Sequence, residues 1–288
     1  MERQPIGILD SGVGGLAVAR AILDRLPGEA ILYYADTAHF PYGERTLSDV
    51  RALCVSGIRR LASLDAACVV VACNTAAASS LDDGAPRVRL PVFDVLSSPV
   101  LAGTLRRWHG ARLGLVATPL TVASGAYQAI VEHFARPRRL AVVPTARLAR
   151  IVEGGAADAP KAADAVRSEL APLLGERLDA LILGCTHFGF LEAAIRAVVG
   201  PDVAVIDPAR LVARGVADAL ETAGLARREP AGAPPRHRLV VTGGRADEVA
   251  RAAARLGIAF ERCELGEDAP RGAVAPAGEA DRPGVGLR

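Results

Sequence analysis

The fold of this chain is decided by two segments, CVVVACNT at residues 68–75 and ALILGCTH at residues 180–187. Each is a short apolar run that ends in a cysteine followed by polar residues, which is typical of a buried parallel strand leading into a loop. Open α/β sheets bind their ligands at the carboxyl ends of such strands. Cys73 and Cys185 are therefore expected at two equivalent strand ends, with one sulfur on each side of a small substrate.

Strand-like runs alternate with amphipathic stretches along the chain, which predicts an α/β protein with mostly parallel sheets flanked by helices. An internal repeat favours two similar halves. The run at residues 6–11 parallels residues 113–118 at an offset of 107, and the two cysteine runs are offset by 112. These nearly equal offsets predict two pseudo-symmetric domains with the active site in the cleft between them.

The domain limits follow from breaks in the pattern. The first domain is predicted to comprise residues 1–97 together with 208–265, and the second residues 98–207, because the chain is expected to return to the first domain near Asp207-Pro208. From Gly266 onward glycine, proline, alanine and charged residues dominate. Residues 266–288 are therefore predicted to form a mobile tail.

The overall composition argues against several classes of protein. With 288 residues, 51% hydrophobic and 23% charged, the chain has an ordinary globular composition, and a net charge of +2 gives no strong electrostatic footprint. The arginines at 136–139 lack interleaved aromatic residues, so no nucleic-acid partner is expected. The N-terminus lacks a signal region and the long uncharged stretch 113–131 is interrupted by polar residues, which predicts a cytoplasmic protein without a membrane partner. Five cysteines without paired spacing favour neither a disulfide framework nor a zinc site.

A glycine-rich motif, DSGVGG at residues 10–15, follows the first strand and opens a helix. The pattern GxGxxA at 12–17, with Asp36 after the second strand, can be interpreted as a dinucleotide fingerprint. Asp10 and Ser11 stand where that fingerprint needs its tight phosphate turn, so the match is weak. We favour a turn that presents N–H groups to an anionic substrate and directs Asp10 at an ammonium group or a thiol. A purely structural turn is the alternative.

A second polar loop, DTAHFPYGER at residues 36–45, lies at another predicted strand end. Its proline and glycine favour a turn that could present the Tyr42 hydroxyl and the Gly43 N–H to a carboxylate. An ordinary surface turn is the alternative for this segment.

The other cysteines differ from Cys73 and Cys185 in position. Cys54, Cys68 and Cys263 fall on a helix stripe or within strand-like runs and are predicted to pack in the core as small apolar residues. His187 follows Cys185 by two residues and could act as the proton partner of that thiol.

Taken together, these motifs resemble the aspartate/glutamate racemase family, and within it the glutamate racemases of bacterial cell-wall synthesis. The matching motifs are DSGVGG (10–15), DT (36–37), PYG (41–43), CNTA (73–76), EG (153–154) and GCTH (184–187). They extend in order from residue 6 to about residue 210. The resemblance implies a racemase of two pseudo-symmetric α/β domains that uses neither a metal nor an organic cofactor. It also implies a supply of D-glutamate for peptidoglycan, and a homodimer.

The resemblance assigns roles position by position. Cys73 and Cys185 would be the paired acid–base thiols, with Cys73 acting on D-glutamate and Cys185 on L-glutamate, assisted by Asp10, Glu153 and His187. The residues that would bind glutamate are Asp10, Ser11, Tyr42, Gly43, Asn74, Thr75, Thr118, Thr186 and His187. Two alternatives stay open: an aspartate or hydantoin racemase of the same family, and a non-catalytic two-domain protein that binds an amino acid.

Overall fold

The computed structural model describes residues 4–80, 88–227 and 235–265. Within these ranges the strands are β1 Ile6–Asp10, β2 Ile31–Ala35, β3 Cys68–Val71, β4 Val92–Asp94, β5 Arg112–Ala117, β6 Arg139–Pro144, β7 Ala180–Gly184, β8 Ala204–Ile206, β9 His237–Val241 and β10 Phe260–Leu265. The α-helices are α1 Leu16–Arg25, α2 Leu47–Ser63, α3 Asn74–Ser80, α4 Pro99–Arg106, α5 Pro119–Ala123, α6 Ala126–Ala135, α7 Arg147–Glu153, α8 Pro160–Leu170, α9 Glu192–Val199, α10 Pro208–Thr222 and α11 Ala246–Arg255.

The described strands form two parallel sheets. The first has the order β10-β9-β2-β1-β3-β4 and the second has the order β6-β5-β7-β8. Neighbouring strands in both sheets pair in parallel. Every residue of β1, β3 and β7 is buried, as expected for strands with helices on both faces. The predicted α/β fold is thus confirmed.

The internal repeat found in the sequence is present in the strand pairing. β1 lies between β2 and β3 and β3 pairs with β4, just as β5 lies between β6 and β7 and β7 pairs with β8. Ile6 pairs with Cys68 in the first sheet, and Leu113 pairs with Ala180 in the second. Leu113 follows Ile6 by 107 residues and Ala180 follows Cys68 by 112 residues, which are the two offsets found in the sequence. The two halves therefore present equivalent strand ends, while β9 and β10 extend only the first sheet.

Helix α10 leads from the second sheet back against α1, which is the path assumed in the prediction of a first domain built from residues 1–97 and 208–265. The exact limits of the two domains stay a prediction. The tail predicted at 266–288 lies outside the described residues.

Helix α2 begins with a side-chain cap. The side chain of Thr46 accepts a hydrogen bond of 3.1 Å from the Asp49 N–H, a common way for a threonine to start a helix. Cys54 and Cys68 are buried as predicted, but Cys263 is exposed and the prediction of a core position is wrong. Cys263 lies on β10, the outermost strand of the described first sheet, where fewer elements cover a side chain.

No helix in the described ranges is both long enough and apolar enough to cross a bilayer.

Candidate active site

The predicted site residues come from the carboxyl ends of the central strands of both sheets. Asp10 ends β1, Cys73 follows β3, and Thr118 and Cys185 directly follow β5 and β7. All four residues are buried. Because strands of both sheets contribute, the site lies between the two halves of the molecule, as the sequence predicts.

Hydrogen bonds join the two walls of this cleft. The Thr186 hydroxyl donates to Asp10 Oδ2 over 3.1 Å, and Thr75 Oγ1 lies 3.0 Å from Thr118 Oγ1. The Tyr127 hydroxyl donates to Asn74 Oδ1. In each pair one residue belongs to the first half and the other to the second. The cleft is closed around its polar groups, which strengthens electrostatic interactions inside it.

One thiol is backed by a chain of buried polar groups. Cys185 Sγ lies 3.7 Å from His187 Nδ1, and His187 Nε2 lies 2.8 Å from Glu153 Oε2. The same Glu153 oxygen accepts a 3.0 Å hydrogen bond from the Val13 N–H of the glycine loop. A carboxylate held in this way orients the imidazole and stabilises its protonated form.

The ionisation of this chain follows from its contacts. Burial works against a charge on His187, but hydrogen bonds and negative charge from Cys185 and Glu153 raise its pKa well above the usual value. Burial likewise opposes ionisation of Glu153, yet His187, the Val13 N–H and Arg245 hold the pKa of Glu153 below its usual value. The arrangement therefore places a protonated imidazole 3.7 Å from Cys185 Sγ.

The second thiol has a different neighbourhood. Cys73 Sγ lies 3.9 Å from Ser11 Oγ. Burial, followed by the negative charge of Asp10, raises the pKa of the Cys73 thiol well above its usual value. Cys73 is therefore held as a neutral thiol, the form that can donate a proton. A two-base proton transfer needs one sulfur as the proton donor and the other as the proton acceptor.

The charged form of Asp10 is unfavourable in the folded protein. It is fully buried, and burial raises its pKa to about 6, against the lowering effects of His187 and the Gly12 N–H. When the pKa of a carboxyl is higher in the folded than in the unfolded protein, the protonated form of that carboxyl adds to the free energy of unfolding. For Asp10 this contribution is complete below the unfolded pKa and is lost as the pH rises through 6.

We accordingly expect Asp10→Asn to stabilise the protein by about 2 kcal/mol at pH 8 and by much less at pH 4. The amide keeps the shape of the carboxyl but is never charged. Urea denaturation at the two pH values measures the difference in free energy of unfolding. Asp24→Asn, at a side chain that is 65% exposed, is the matched control and should show little effect at either pH. An equal gain for Asp10→Asn at both pH values would contradict the assignment.

The glycine loop packs directly against the opposite wall. A Cβ at Gly14 would lie 2.6 Å from His187 Nδ1 and would also meet the Thr186 hydroxyl, and a Cβ at Gly12 would meet the Glu153 carboxylate. The loop is thus covered by the second half, not laid open for a pyrophosphate group. This geometry favours the interpretation of the motif as part of a small-molecule site over the dinucleotide fingerprint.

Tyr42 has a hydrogen-bond partner within its own loop. Its hydroxyl is buried and donates a 2.6 Å hydrogen bond to Asp36 Oδ2. Asp36 also accepts a 2.6 Å hydrogen bond from Thr242, which ties the loop to the strand end of β9. The role of Tyr42 in binding a substrate carboxylate stays a prediction. Gly43 lies at the cleft, because a Cβ there would be 2.5 Å from that of Thr118.

Several residues at the site were not predicted from the sequence, among them Tyr33 and Arg245. The Tyr33 hydroxyl donates a 2.8 Å hydrogen bond to the Gly12 carbonyl and so helps to fix the glycine loop. Arg245 reaches Glu153, with Nη1 at 3.3 Å from Oε1. The sequence carries one usable signal for Arg245, since it follows the apolar run at 239–241 and ligands bind at the carboxyl ends of parallel strands. Tyr33 lies inside a strand-like run and has no such signal.

Comparisons with known proteins identify the family of the chain. Residues 6–216 match the family model described as Asp/Glu/Hydantoin racemase, and the chain belongs to this family. A glutamate racemase from Acidothermus cellulolyticus is 39% identical over 246 residues, which cover 84% of this chain and 91% of the relative.

Solved structures of the same class superpose on the chain. A glutamate racemase isoform from Bacillus anthracis matches with a TM-score of 0.82 and 30% identity, covering 93% of this chain and 98% of that one. The glutamate racemase from Thermus thermophilus in complex with β-chloro-D-alanine matches with a TM-score of 0.76 and 38% identity, covering 92% and 97%.

Proposed function

We propose that this protein interconverts L-glutamate and D-glutamate by proton transfer between two cysteines, and so supplies D-glutamate for peptidoglycan. The observation that carries the proposal is the pair of buried thiols, Cys73 and Cys185, at equivalent strand ends on opposite walls of one cleft. The family and the relatives described above support glutamate as the substrate.

The chemistry assigned to the thiols follows from their partners. The α proton of an amino acid is far less acidic than a thiol, whose ordinary pKa is about 8.5, so the carbanion-like charge must be stabilised in a site closed to water. Cys185, paired with His187, takes the α proton of L-glutamate while Cys73 delivers its own proton to the opposite face. The reverse transfer converts D-glutamate, because the roles of the two sulfurs are then exchanged.

The polar residues around the thiols can hold the substrate. We assign the binding of its ammonium and carboxylate groups to Asp10, Ser11, Tyr42, Gly43, Asn74, Thr75, Thr118, Thr186 and His187, while Asp10, Glu153 and His187 assist the thiols. Asp10 supplies negative charge for the ammonium group. The hydroxyls of Thr75, Thr118 and Thr121 lie within 3.0 Å of one another and form a donor cluster for a carboxylate.

The proposal extends to the setting of the enzyme. We propose a cytoplasmic protein that needs no metal or organic cofactor, since the two thiols and their partners supply both the acid and the base. Glutamate is its proposed partner, with no nucleic acid or membrane partner, and a homodimer is its proposed assembly.

Exchange of the α proton with solvent deuterium tests the proposed function. Purified protein, passed through gel filtration with a chelator and given no cofactor, is expected to incorporate deuterium at Cα of glutamate and to racemise it. We expect kcat/KM for glutamate to exceed that for aspartate at least tenfold, which corresponds to about 1.4 kcal/mol of discrimination. Comparable turnover of aspartate would identify an aspartate racemase. A protein that binds glutamate and leaves its α proton in place would be a binding protein, not an enzyme.

A further inference from the structure

Arg245 lies in a turn at the carboxyl end of β9, on the edge of the first sheet that carries Cys73. The turn consists of Thr242, Gly243 and Gly244, and both glycines have positive φ angles of 67° and 75°. Such angles favour glycine and allow the chain to reverse sharply into α11. The reversal directs the Arg245 side chain, which is 31% exposed, towards the second half of the molecule.

The guanidinium of Arg245 contacts the carboxylate that backs His187. Arg245 Nη1 lies 3.3 Å from Glu153 Oε1, and its second terminal nitrogen lies 3.4 Å from the Glu153 carbonyl oxygen. The other carboxylate oxygen, Oε2, already serves His187 and the Val13 N–H. Arg245 thus contacts Oε1, the carboxylate oxygen that His187 and the Val13 N–H do not contact.

From this geometry we propose that Arg245 is a positioning residue that keeps Glu153 charged and directed at His187, and thereby prepares Cys185 to take a proton. The last step of this inference rests on the proposed racemase function. Arg245 does not touch the reacting thiol. It acts through Glu153 and His187, and it does so from the opposite side of the cleft.

The charges around Glu153 determine the sign of the effect. Asp10 and Tyr33 face Glu153 from the first half of the molecule, and Cys185 faces Glu153 through His187. Glu248, one turn further along α11, accepts a 2.6 Å hydrogen bond from Arg245 Nε and competes for its charge. Among these groups Arg245 brings the positive charge of a guanidinium to Glu153. Its loss must therefore make Glu153 easier to protonate.

The carboxyl signal of Glu153 in a protein labelled with ¹³C at glutamate carboxyls measures this directly. The signal is assigned by its loss in Glu153→Gln. We expect Arg245→Ala to raise the pKa of Glu153 by about half a unit or more, a modest value because the arginine is partly solvent-exposed. Arg245→Lys keeps the positive charge and is expected to recover at least half of the shift. Arg139→Ala removes the same charge from an exposed pair with Glu176 and should leave Glu153 unchanged.

The racemisation assay supplies the second readout. In the pH profile of kcat/KM for glutamate, the acid limb should move to higher pH in Arg245→Ala by about the same amount and return in Arg245→Lys. A purely structural role would lower the activity evenly across the pH range without moving that limb. An unmoved acid limb, or an unmoved Glu153 titration, would overturn the proposal. If the wild-type protein failed to racemise glutamate, the proposed function would fail, and the Glu153 titration alone would decide whether Arg245 controls this carboxylate.

Discussion

Cys73→Ala and Cys185→Ala are each expected to reduce glutamate racemisation at least a thousandfold, equivalent to about 4 kcal/mol or more of transition-state stabilisation. Each variant leaves one face of the α carbon without its acid or base, and a single fixed base cannot serve both faces. Both variants should fold, because replacing one buried sulfur by a hydrogen creates only a small cavity. Racemisation is measured by polarimetry, and folding by circular dichroism and urea denaturation.

The two thiols can be told apart with a reaction that needs only proton removal. A glutamate analogue with chloride on its β carbon loses chloride after the α proton is taken, so the opposite thiol is not required. Cys73→Ser should slow elimination from the D enantiomer far more than from the L enantiomer, and Cys185→Ser should do the reverse. Equal impairment of both enantiomers by each variant would rule out the two-thiol mechanism.

The other cysteines are matched controls for the loss of a thiol. Cys54→Ala and Cys68→Ala remove buried sulfurs away from the cleft and are expected to cost some stability and little activity. Cys263→Ala removes an exposed sulfur and should change neither property measurably.

Gly14→Ala is expected to reduce kcat/KM about a hundredfold or more. The added methyl group would occupy the space of the Thr186 hydroxyl and the His187 ring, so Thr186 and His187 must both move. A misplacement of about 1 Å is sufficient for a loss of this size. The same crowding should lower the free energy of unfolding by about 1–3 kcal/mol, and activity is therefore measured at a temperature where circular dichroism shows a folded variant.

Gly103→Ala is the control for this substitution. Gly103 lies in α4, and a Cβ there would meet no atom within 4 Å. Alanine at this helix position should raise the stability by about 0.5–1 kcal/mol and leave catalysis unchanged. If Gly14→Ala retained a third or more of the wild-type kcat/KM, the close packing of the glycine loop on His187 would not be needed for the reaction.

Much of the fold could be predicted because its signals are local. Apolar runs bounded by polar residues identify buried strands, and the two offsets in the sequence become equivalent pairings, Ile6 with Cys68 and Leu113 with Ala180. The strand-end positions of Cys73 and Cys185 follow from the same runs. Parallel pairing then brings the ends of adjacent strands to one edge without any knowledge of side-chain contacts.

The supporting residues were harder to predict because their partners are distant in sequence. Glu153 lies 34 residues from His187 and 92 from Arg245, and a lone acidic residue on a helix gives no indication of either contact. Glu153 was identified only through the family resemblance. The contact of the Tyr42 hydroxyl with Asp36 was not predicted either, although the two residues are only six positions apart, because the loop conformation that joins them has no sequence signal.

The unlike partners of the two thiols, Asp10 beside Cys73 and His187 beside Cys185, have a kinetic consequence for the proposed reaction. L- and D-glutamate are mirror images with equal free energies in water, so their equilibrium constant is one. The ratio kcat/KM must then be identical in the two directions, however different the two half-sites are. An enzyme with unlike half-sites can have a higher kcat for one enantiomer only if its KM for that enantiomer is higher by the same factor. Asp10 and His187 therefore govern the concentration at which each enantiomer saturates the enzyme. At concentrations well below KM, the enzyme converts the two enantiomers with equal efficiency.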